Sequence, residues 1–510
     1  MIHRRFLPVL GFDKIFFPLR KHSEHRWSAT IAVVNTEPGS LAETRSTAWP
    51  GMTARQWLRL VLIGLGTSVV PLDSAVNIAF PDITGSFGLP IEMIQWVVIC
   101  YVLTHASLML ACGRLGDVFG YGRMFRGGLL WNAAAFVCCA AAPSFGWLLF
   151  CRVLQGIGAA LILSCAPALV TGLFPENRRS RALAMFTMMH ALGSAGGPLL
   201  GGLLVDFWGW PSVFWFRAPI AVTALVFLRG LPAPPRRGRR EPVDIVGAGL
   251  LALAISTFLL TLNQLQQLER HLLPVIALGG ITAASFFGFV RWERWVAQPI
   301  VNLDFFRIGG FATINGASVL VYLTSFSVLL FAPYYLVRFT DLSLPLAGAV
   351  LAASFAGSIA ASPLAGRMTE RLPAAGVAAL GAVLNGAGLF LIGGWDVGIS
   401  PLVIIAPLAL QGFGVGLFQV AYMDLVMGTL PPQHRGVAGS LAMLTRTLGV
   451  VTGATLLTLV FHSLEGLLPT NGGAAADGFL LAFRTTFRLA GIASAVTGVG
   501  AVYLARRRSL

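Results

Sequence analysis

The amino-acid sequence predicts an all-α protein that crosses a membrane many times. The chain has 510 residues, of which 56% are hydrophobic and 11% are charged, and its mean hydropathy is +0.77. An ordinary soluble domain has about 25% charged residues, so this chain has too few charges to build a water-facing surface. The composition therefore excludes a soluble globular protein, a disulfide-linked secreted module and a disordered chain.

Fourteen apolar runs are long enough to be membrane spans, since a helix needs about 20 apolar residues to cross a bilayer. We place them at residues 57–80, 94–113, 127–145, 147–173, 183–205, 211–230, 244–265, 272–291, 311–335, 344–365, 374–394, 400–428, 438–462 and 482–504. The order of the runs predicts two six-helix halves, residues 57–231 and 311–505. Between them, residues 232–310 form a linker and two inserted helices.

The positive charges orient the chain in the membrane. Of the 36 lysines and arginines, 29 lie on the side of the two termini, in the loops or at the adjoining ends of the spans. Only Arg270 and Arg338 lie in loops on the opposite side, and the other five lie in or at the edges of spans. Because loops rich in Lys and Arg face the cytoplasm, we predict a plasma (inner) membrane protein with both termini cytoplasmic, the end at 506–510 being a basic tail. The net charge of +15 reflects this orientation, and no nucleic-acid partner is expected.

Residues 1–56 contain neither a span nor a signal-peptide cleavage site. They are either a basic cytoplasmic tail that rests on anionic lipid or an extension upstream of a true start at Met52. No segment between the spans is long enough for a soluble catalytic domain, which disfavours a membrane enzyme. The six cysteines lack metal-ligand spacing, so no metal site is expected.

A glycine-rich loop follows span two and reads GRLGDVFGYGR from Gly113 to Arg123. Gly113 allows a close helix crossing, and Gly120 permits a tight reversal of the chain. Asp117 can cap the turn that follows it, while Arg123 stays at the predicted cytoplasmic surface. The pattern is more specific than a lone glycine-rich loop because apolar spans flank it on both sides.

Three spans carry further motifs: LDSAVNIAFP at 72–81 in span one, RVLQGIG at 152–158 in span four, and GSAGGPLLGG at 193–202 in span five. With the loop after span two, they resemble the motifs of the major facilitator superfamily, and within it those of the fourteen-spanner drug:proton antiporter family. The resemblance covers about residues 57–508. It implies a major facilitator fold in which Asp117 and Arg123 belong to a cytoplasmic latch.

Gly193, Gly197 and Gly201 repeat every four residues, so they form a ridge without side chains on one face of span five. Another helix can pack closely against such a ridge, and Pro198 frees a backbone carbonyl and permits a bend. Ordinary close packing would use the same pattern. The resemblance favours a bend that hinges or seals the two halves.

Asp73 is the leading candidate for proton coupling, because an acid at bilayer depth is costly unless it is paired or protonated. Asn77 lies one helical turn further along the same predicted face, and Arg152 and Gln155 share a face of span four. We hypothesise that Arg152 approaches Asp73 and is released when a proton arrives. A purely structural Asp73–Arg152 pair is the alternative.

The second half of the chain contains weaker copies of the motifs in the first half. Gln411 in span twelve parallels Gln155, as an internal duplication predicts. We expect Gln411, with Gln155 and Asn77, to contribute polar lining to a central cavity. Glu370 stands at the position of Asp117 in a degraded copy of the latch loop.

Four further polar residues lie within the predicted spans. Asp424 is either a second proton or substrate site, paired with Arg446 of span thirteen, or an interfacial acid near the cytoplasmic mouth. His105 and His190 either bond to a neighbouring helix or take part in coupling. The sequence leaves these alternatives open.

Arg217, at the start of span six, departs from the resembled family, which usually has Asn at this position. If Arg217 faces the cavity, the site is more positive than in relatives that export lipophilic cations. This departure argues against a specialist for dications and leaves anionic or neutral amphiphiles open.

These features predict a proton-coupled antiporter that exports small amphipathic compounds, such as drugs or toxic metabolites, by alternating access. We expect a monomer whose partners are its substrate, protons and membrane lipid. No cofactor is expected, since the chain has no phosphate-binding loop for ATP and the proton gradient would supply the energy. The alternative is a facilitator-type transporter of an organic anion or metabolite.

Overall fold

The computed structural model describes residues 54–507 except 90, 176–177, 229–243, 266–267, 309, 341, 343 and 466–473. The predicted N-terminal tail, apart from residues 54–56, and the charged linker at 232–242 therefore lie outside the described residues. Part of the predicted tail at 506–510 does so too. Within the described part of the chain, every regular element is an α-helix or a 3-10 helix.

The described residues form sixteen α-helices and four short 3-10 helices. The α-helices are α1 (Ala54–Ser68), α2 (Phe80–Phe87), α3 (Gln95–Phe119), α4 (Tyr121–Ala140), α5 (Phe145–Gly172), α6 (Arg179–Trp208), α7 (Ser212–Trp215), α8 (Arg217–Phe227), α9 (Ile245–Leu265), α10 (Leu268–Glu293), α11 (Phe311–Phe339), α12 (Leu344–Thr369), α13 (Ala374–Ile392), α14 (Pro401–Thr429), α15 (Arg435–Glu465) and α16 (Ala474–Arg507). The 3-10 helices are Pro71–Asn77, Ile91–Ile94, Leu303–Arg307 and Pro432–His434.

Among the described residues, 12 helices are long and apolar enough to cross a membrane. The other two predicted spans, at 127–145 and 211–230, fall on α4 and on the pair α7 and α8. Two arginines and Asn132 make α4 less apolar than its neighbours, and α8 has only 11 residues. The full number of fourteen spans therefore stays a prediction.

The first span is not one continuous α-helix, although the apolar run at 57–80 predicts one. Helix α1 ends at Ser68, and a 3-10 segment follows from Pro71 to Asn77. Pro71 has no backbone N–H to continue the α-helical pattern, and the N–H of Asp73 donates to Val70 O at 3.0 Å, three residues back. Asp73 thus lies on a short 3-10 helix between α1 and α2.

The two halves pack in the same way. In the first half, α5 packs against α3 and α4; in the second half, α14 packs against α12 and α13. Across the halves, α3 contacts α15 and α6 contacts α12. This correspondence is what an internal duplication produces.

The inserted helices α9 and α10 pack against each other, and Thr282 Oγ1 donates to Thr257 Oγ1 at 2.9 Å between them. Helix α9 also contacts both α3 and α15. Ser256 shares a hydrogen bond of 2.8 Å with Ser107 of α3, and Thr455 of α15 donates to Leu262 O at 3.3 Å. The insert therefore bridges one seam between the halves.

Candidate functional site

Asp73 and Arg152 form a two-pronged ion pair. Arg152 Nη1 lies 2.7 Å from Asp73 Oδ1, and Nη2 lies 2.8 Å from Oδ2. Gln155 joins the pair, because its Nε2 donates to Asp73 Oδ1 at 2.9 Å and its Oε1 accepts from Arg152 Nη1 at 2.8 Å. Arg152 Nε is bound by Val97 O at 2.8 Å. Such a fork fixes both the position and the plane of the guanidinium.

Arg217 is a second cation on the same acid. Its Nη1 lies 2.7 Å from Asp73 Oδ1, and its Nε donates to Val213 O at 2.9 Å. Arg217 is 0% exposed and Arg152 is 1% exposed, while Asp73 retains 13%. One carboxylate thus faces two buried guanidinium groups, and the three side chains carry one net positive charge.

Aromatic rings surround both guanidinium groups. Arg152 lies 4.4 Å from the ring centroid of Tyr101, and Arg217 lies 4.5 Å from that of Phe136. Phe214 contacts both, at 5.8 Å from Arg152 and 5.5 Å from Arg217. Cation–π contacts of this kind favour a buried guanidinium that water cannot reach.

Asn77 does not join this cluster, so its predicted place beside Asp73 is wrong. The two residues lie on a 3-10 helix, which turns once every three residues, so positions four apart point in different directions. Asn77 ends that helix and is exposed. The α-helical periodicity that predicted a shared face does not apply there.

The glycine ridge of α6 packs against the segment that carries Asp73. A Cβ atom on Gly197 would lie 3.1 Å from Ala75 N, and a Cβ on Gly201 would lie 3.0 Å from the Cα and O of Ala75. A Cβ on Gly193 would lie 2.9 Å from Ser68 O. The ridge lets α6 approach the backbone around Asp73 more closely than any side chain would allow.

Ser74 links the segment that carries Asp73 to the α6 turn that contains Pro198, a contact that no sequence motif predicts. Pro198 lies inside α6 and cannot donate to the carbonyl of Ser194, four residues earlier. The Ser74 hydroxyl lies 3.3 Å from Ser194 O and 3.0 Å from Pro71 O. The residue next to Asp73 thus supplies a donor to the carbonyl that Pro198 leaves free.

The second-half counterpart of the Asp73 cluster, around Gln411, carries no charge. Gln411 Nε2 donates to Asn385 Oδ1 at 2.9 Å, and its Oε1 accepts from Ser354 Oγ at 2.6 Å. Asn385 also bonds to Ser325 at 3.1 Å and Ser494 at 2.8 Å. Gln411 is only 2% exposed, so it belongs to a buried neutral network. An asparagine alone in an apolar run was the signal that could have identified Asn385.

Asp117 connects the two halves at the end of the helix bundle where α3 meets α4. We name this end of the bundle the latch face. Asp117 Oδ1 accepts from Gly436 N at 2.8 Å, and its Oδ2 accepts from Val437 N at 3.4 Å. These N–H groups belong to the first turn of α15, which an anion stabilises. A Cβ on Gly113 would lie 2.7 Å from Gly436 O, so this crossing requires glycine.

The other two residues of the latch loop have simpler surroundings. Gly120 separates α3 from α4 with a φ of 94°, which favours glycine. Arg123 is exposed on α4. The role of Arg123 in the cytoplasmic latch therefore remains a prediction.

Two ion pairs also join the halves at the latch face. Arg181 of α6 lies 2.5 Å from Glu370 of α12, so the acid that stands at the position of Asp117 also contacts the opposite half. Arg179 Nε lies 2.8 Å from Asp424 Oδ1 of α14. Arg179, rather than the suggested Arg446, is thus the partner of Asp424. Both arginines lie in the loop between predicted spans four and five, whose positive charge predicts only the orientation of the chain.

Arg446 lies on α15 and His190 on α6. His105 adjoins the Asp73 cluster, because its ring centroid is 4.9 Å from that of Tyr101, which contacts Arg152. Arg446 lies 5.5 Å from the ring centroid of Tyr322, and the ring of His190 lies 6.2 Å from that of Phe186. His105 Nδ1 is 3.1 Å from Tyr101 O on its own helix. Their roles in coupling stay predictions. No group of His, Cys, Asp and Glu that could hold a metal ion occurs among the described residues.

Residues 61–311 and 314–510 match the family model of the Major Facilitator Superfamily. The chain is 27% identical to the riboflavin transporter RibZ of Clostridioides difficile, over 80% of this chain and 88% of that protein. It is 28% identical to the multidrug resistance protein Stp of Mycobacterium tuberculosis, over 80% of this chain and 76% of that protein. The human organic anion transporter MFSD10 has a similar fold, with a TM-score of 0.59 and 19% identity over 86% of this chain and 99% of that one. The chain therefore belongs to the Major Facilitator Superfamily, as its motifs suggested.

Proposed function

We propose that the protein exports small amphipathic compounds across the plasma membrane in exchange for protons. The observation that carries this proposal is Asp73, a membrane-depth acid held by Arg152 and Arg217. The match to a multidrug resistance protein supports drug export. The match to a riboflavin transporter supports the second candidate, a facilitator for an organic anion or metabolite.

Proton arrival at Asp73 would change the forces in the cluster. The neutral acid no longer attracts the two guanidinium groups, which then repel each other in a medium of low dielectric constant. The cluster must rearrange, and Ser74 would transmit this change to α6 near Pro198 through its contact with Ser194 O. The same acid thereby controls both local charge and helix geometry.

We place the latch face on the cytoplasmic side, with both termini, because the distribution of Arg and Lys favours that orientation. Contacts of Asp117, Glu370 and Asp424 hold the halves together at that face. This arrangement supports a conformation closed towards the cytoplasm. Alternating access then proceeds by rocking of the halves, which we assign to residues 57–231 and 311–505, about a central site.

The test is dye accumulation in everted membrane vesicles whose interior is acidified, using ethidium as a cationic and fluorescein as an anionic probe. The decisive variant is Asp73→Asn/Arg217→Gln, which removes the acid but keeps the cluster's net charge at plus one. We expect it to lose accumulation that depends on the pH gradient. Arg217→Gln alone should keep part of this accumulation, because protonation of Asp73 still releases Arg152 although the repulsion between two guanidinium groups is gone.

Thermal unfolding in detergent verifies that each variant is folded. Gradient-driven accumulation by the folded double variant would contradict coupling through Asp73. Absence of transport of both dyes by the unaltered protein would contradict export of amphipathic compounds of either charge.

A further inference from the structure

We propose that a cavity lined by Arg181, Arg367 and Arg371 binds a phosphate group, and that the bound phosphate holds the two halves together at the latch face. The phosphate belongs either to an anionic lipid headgroup or to a soluble phosphate ion. This inference goes beyond the proposed export function, because the binding site depends neither on the exported compound nor on the coupling ion.

The cavity lies where α6 of the first half meets α12 of the second half, and its volume is about 620 Å³. Helix α6 contributes Arg181, and the rest of the lining comes from residues 364–372, at the end of α12 and just after it. The two helices cross closely there, because a Cβ on Gly366 would lie 2.8 Å from Ala184 Cβ and 3.3 Å from Arg181 Cα. A ligand that fills the cavity would therefore contact both halves.

The backbone after α12 keeps two of the arginines on one side of the chain. Leu372 N donates to Met368 O at 2.8 Å, four residues back, as it would in an α-helix. Arg367 and Arg371 are also four residues apart, so they lie one turn apart on the same face. Both line the cavity that Arg181 of α6 also lines.

The lining of the cavity carries a net positive charge. It contains three guanidinium groups and one carboxylate, that of Glu370. This carboxylate already binds Arg181, with 2.5 Å between Oε2 and Nη2. Arg367 and Arg371 are exposed and form no ion pair with a carboxylate of the described residues. Because like charges repel, a bound anion would stabilise this end of α12.

The number of arginines favours phosphate among the possible anions. A guanidinium donates two parallel hydrogen bonds to a phosphate or a carboxylate. The two oxygens of a carboxylate suit two arginines, as Asp73 shows with Arg152 and Arg217. A phosphate group has more acceptor oxygens, so three arginines around one cavity can share it.

The position of the cavity suits the headgroup of a lipid. The apolar part of α12 runs from Leu346 to Thr369, so the arginines lie at the end of a helix that crosses the membrane. Leu364 and Leu372, which also line the cavity, are exposed and offer apolar contacts beside the charges. Basic pockets between helices on the cytoplasmic side bind anionic headgroups, and we place the latch face on that side.

Binding at this cavity would depend on the conformation of the protein. Arg181 moves with the first half, whereas Arg367 and Arg371 move with the second half. An opening at the latch face would separate these side chains and divide the binding site. Because a ligand shifts the population towards the state that it binds better, phosphate in the cavity should favour the conformation closed at the latch face.

The test is thermal unfolding of the purified protein in detergent, titrated with three probes at constant ionic strength. The probes are short-chain phosphatidylglycerol, which is anionic, short-chain phosphatidylcholine, which is zwitterionic, and inorganic phosphate. We expect phosphatidylglycerol to stabilise the unaltered protein and phosphatidylcholine to leave it unchanged. Arg367→Gln/Arg371→Gln should weaken this binding by about tenfold or more, since two of the three charged donors are lost. Arg367→Lys/Arg371→Lys, which keeps both charges, should recover part of the affinity.

The matched control is Arg291→Gln/Arg294→Gln. It also removes two exposed arginines near the end of a membrane-spanning helix, but neither of them lines the cavity. The control should bind phosphatidylglycerol as the unaltered protein does. Unfolding without any probe verifies that each variant is folded.

Stabilisation by inorganic phosphate that Arg367→Gln/Arg371→Gln abolishes would also support the site and would identify a soluble phosphate as its source. Absence of stabilisation by either anion, or equal weakening in the control, would overturn the inference, since the arginines would then only orient the chain. Distances between spin labels on α6 and α12 test the effect on the halves, and binding without a shorter distance would refute it. Neither measurement uses transport, so a failure of dye export would contradict the proposed function alone.

Discussion

Arg152 and Arg217 contact the same oxygen of Asp73, Oδ1, each at 2.7 Å. They are not equivalent, however. Arg152 also binds the second carboxylate oxygen, Gln155 and a backbone carbonyl, whereas Arg217 makes one bond to the acid and leaves its Nη2 without a partner. This asymmetry predicts how the cluster responds to loss of either cation.

Arg152→Gln should destabilise the protein far more than Arg217→Gln. Removal of Arg152 breaks a two-pronged pair and leaves Asp73 Oδ2 and Val97 O without this donor, and each buried polar atom left unsatisfied costs about 1–3 kcal/mol. Arg217 still neutralises Asp73 in that variant. After removal of Arg217, Asp73 keeps Arg152 and Gln155, and the cluster becomes neutral. The measurement is thermal unfolding in detergent; equal losses from the two variants would contradict the asymmetry.

Gly197→Ala should impair both stability and transport. The new Cβ would lie 2.0 Å from Ser74 Oγ and 3.1 Å from Ala75 N, so α6 must move away from the segment that holds Asp73. Gly202→Ala is the matched control, because no atom lies within 4 Å of a Cβ there. Vesicle transport and thermal unfolding would be compared; similar behaviour of the two variants would show that the ridge tolerates side chains.

Asp117→Ala should shift the protein towards states that are open at the latch face. The variant removes the cap on the first turn of α15, and loss of such a cap costs about 0.5–2 kcal/mol. Distances between spin labels on α4 and α15 would report the opening. Gly127→Ala on α4, where a new Cβ would have no atom within 4 Å, should leave the distances unchanged, and a shift of equal size there would refute a specific role for the cap.

The pair of Arg179 and Asp424 should behave as a gate contact rather than as a proton site. Asp424→Arg should impair transport by opposing Arg179, and the double variant Arg179→Asp/Asp424→Arg should restore at least part of it. Transport assays of Asp424→Arg, Arg179→Asp and the double variant measure the interaction between the two side chains. A second proton site at Asp424 would predict no recovery.

The sequence predicts the helical fold well, because each span is a local run of apolar residues. Its failures have specific causes. Asn77 was placed by α-helical periodicity in a segment that Pro71 turns into a 3-10 helix. The partner of Asp424 lies 245 residues away on another helix, and no local pattern specifies such a contact.

The candidate site was predictable in its composition but not in its geometry. The membrane-depth positions of Asp73, Arg152 and Arg217 follow from the spans that carry them. Their convergence on one carboxylate depends on how three separate helical segments pack. The neutral network of Gln411 and Asn385 depends on packing in the same way.

The net positive charge of the Asp73 cluster also makes the protein sensitive to voltage. A membrane that is negative inside pulls one elementary charge inward with about 2.3 kcal/mol per 100 mV across the full field. A neutral pair, as in a chain with asparagine in place of Arg217, would not respond. We therefore expect the electrical potential itself to favour conformations in which this cluster is nearer to the cytoplasm, even without a pH gradient.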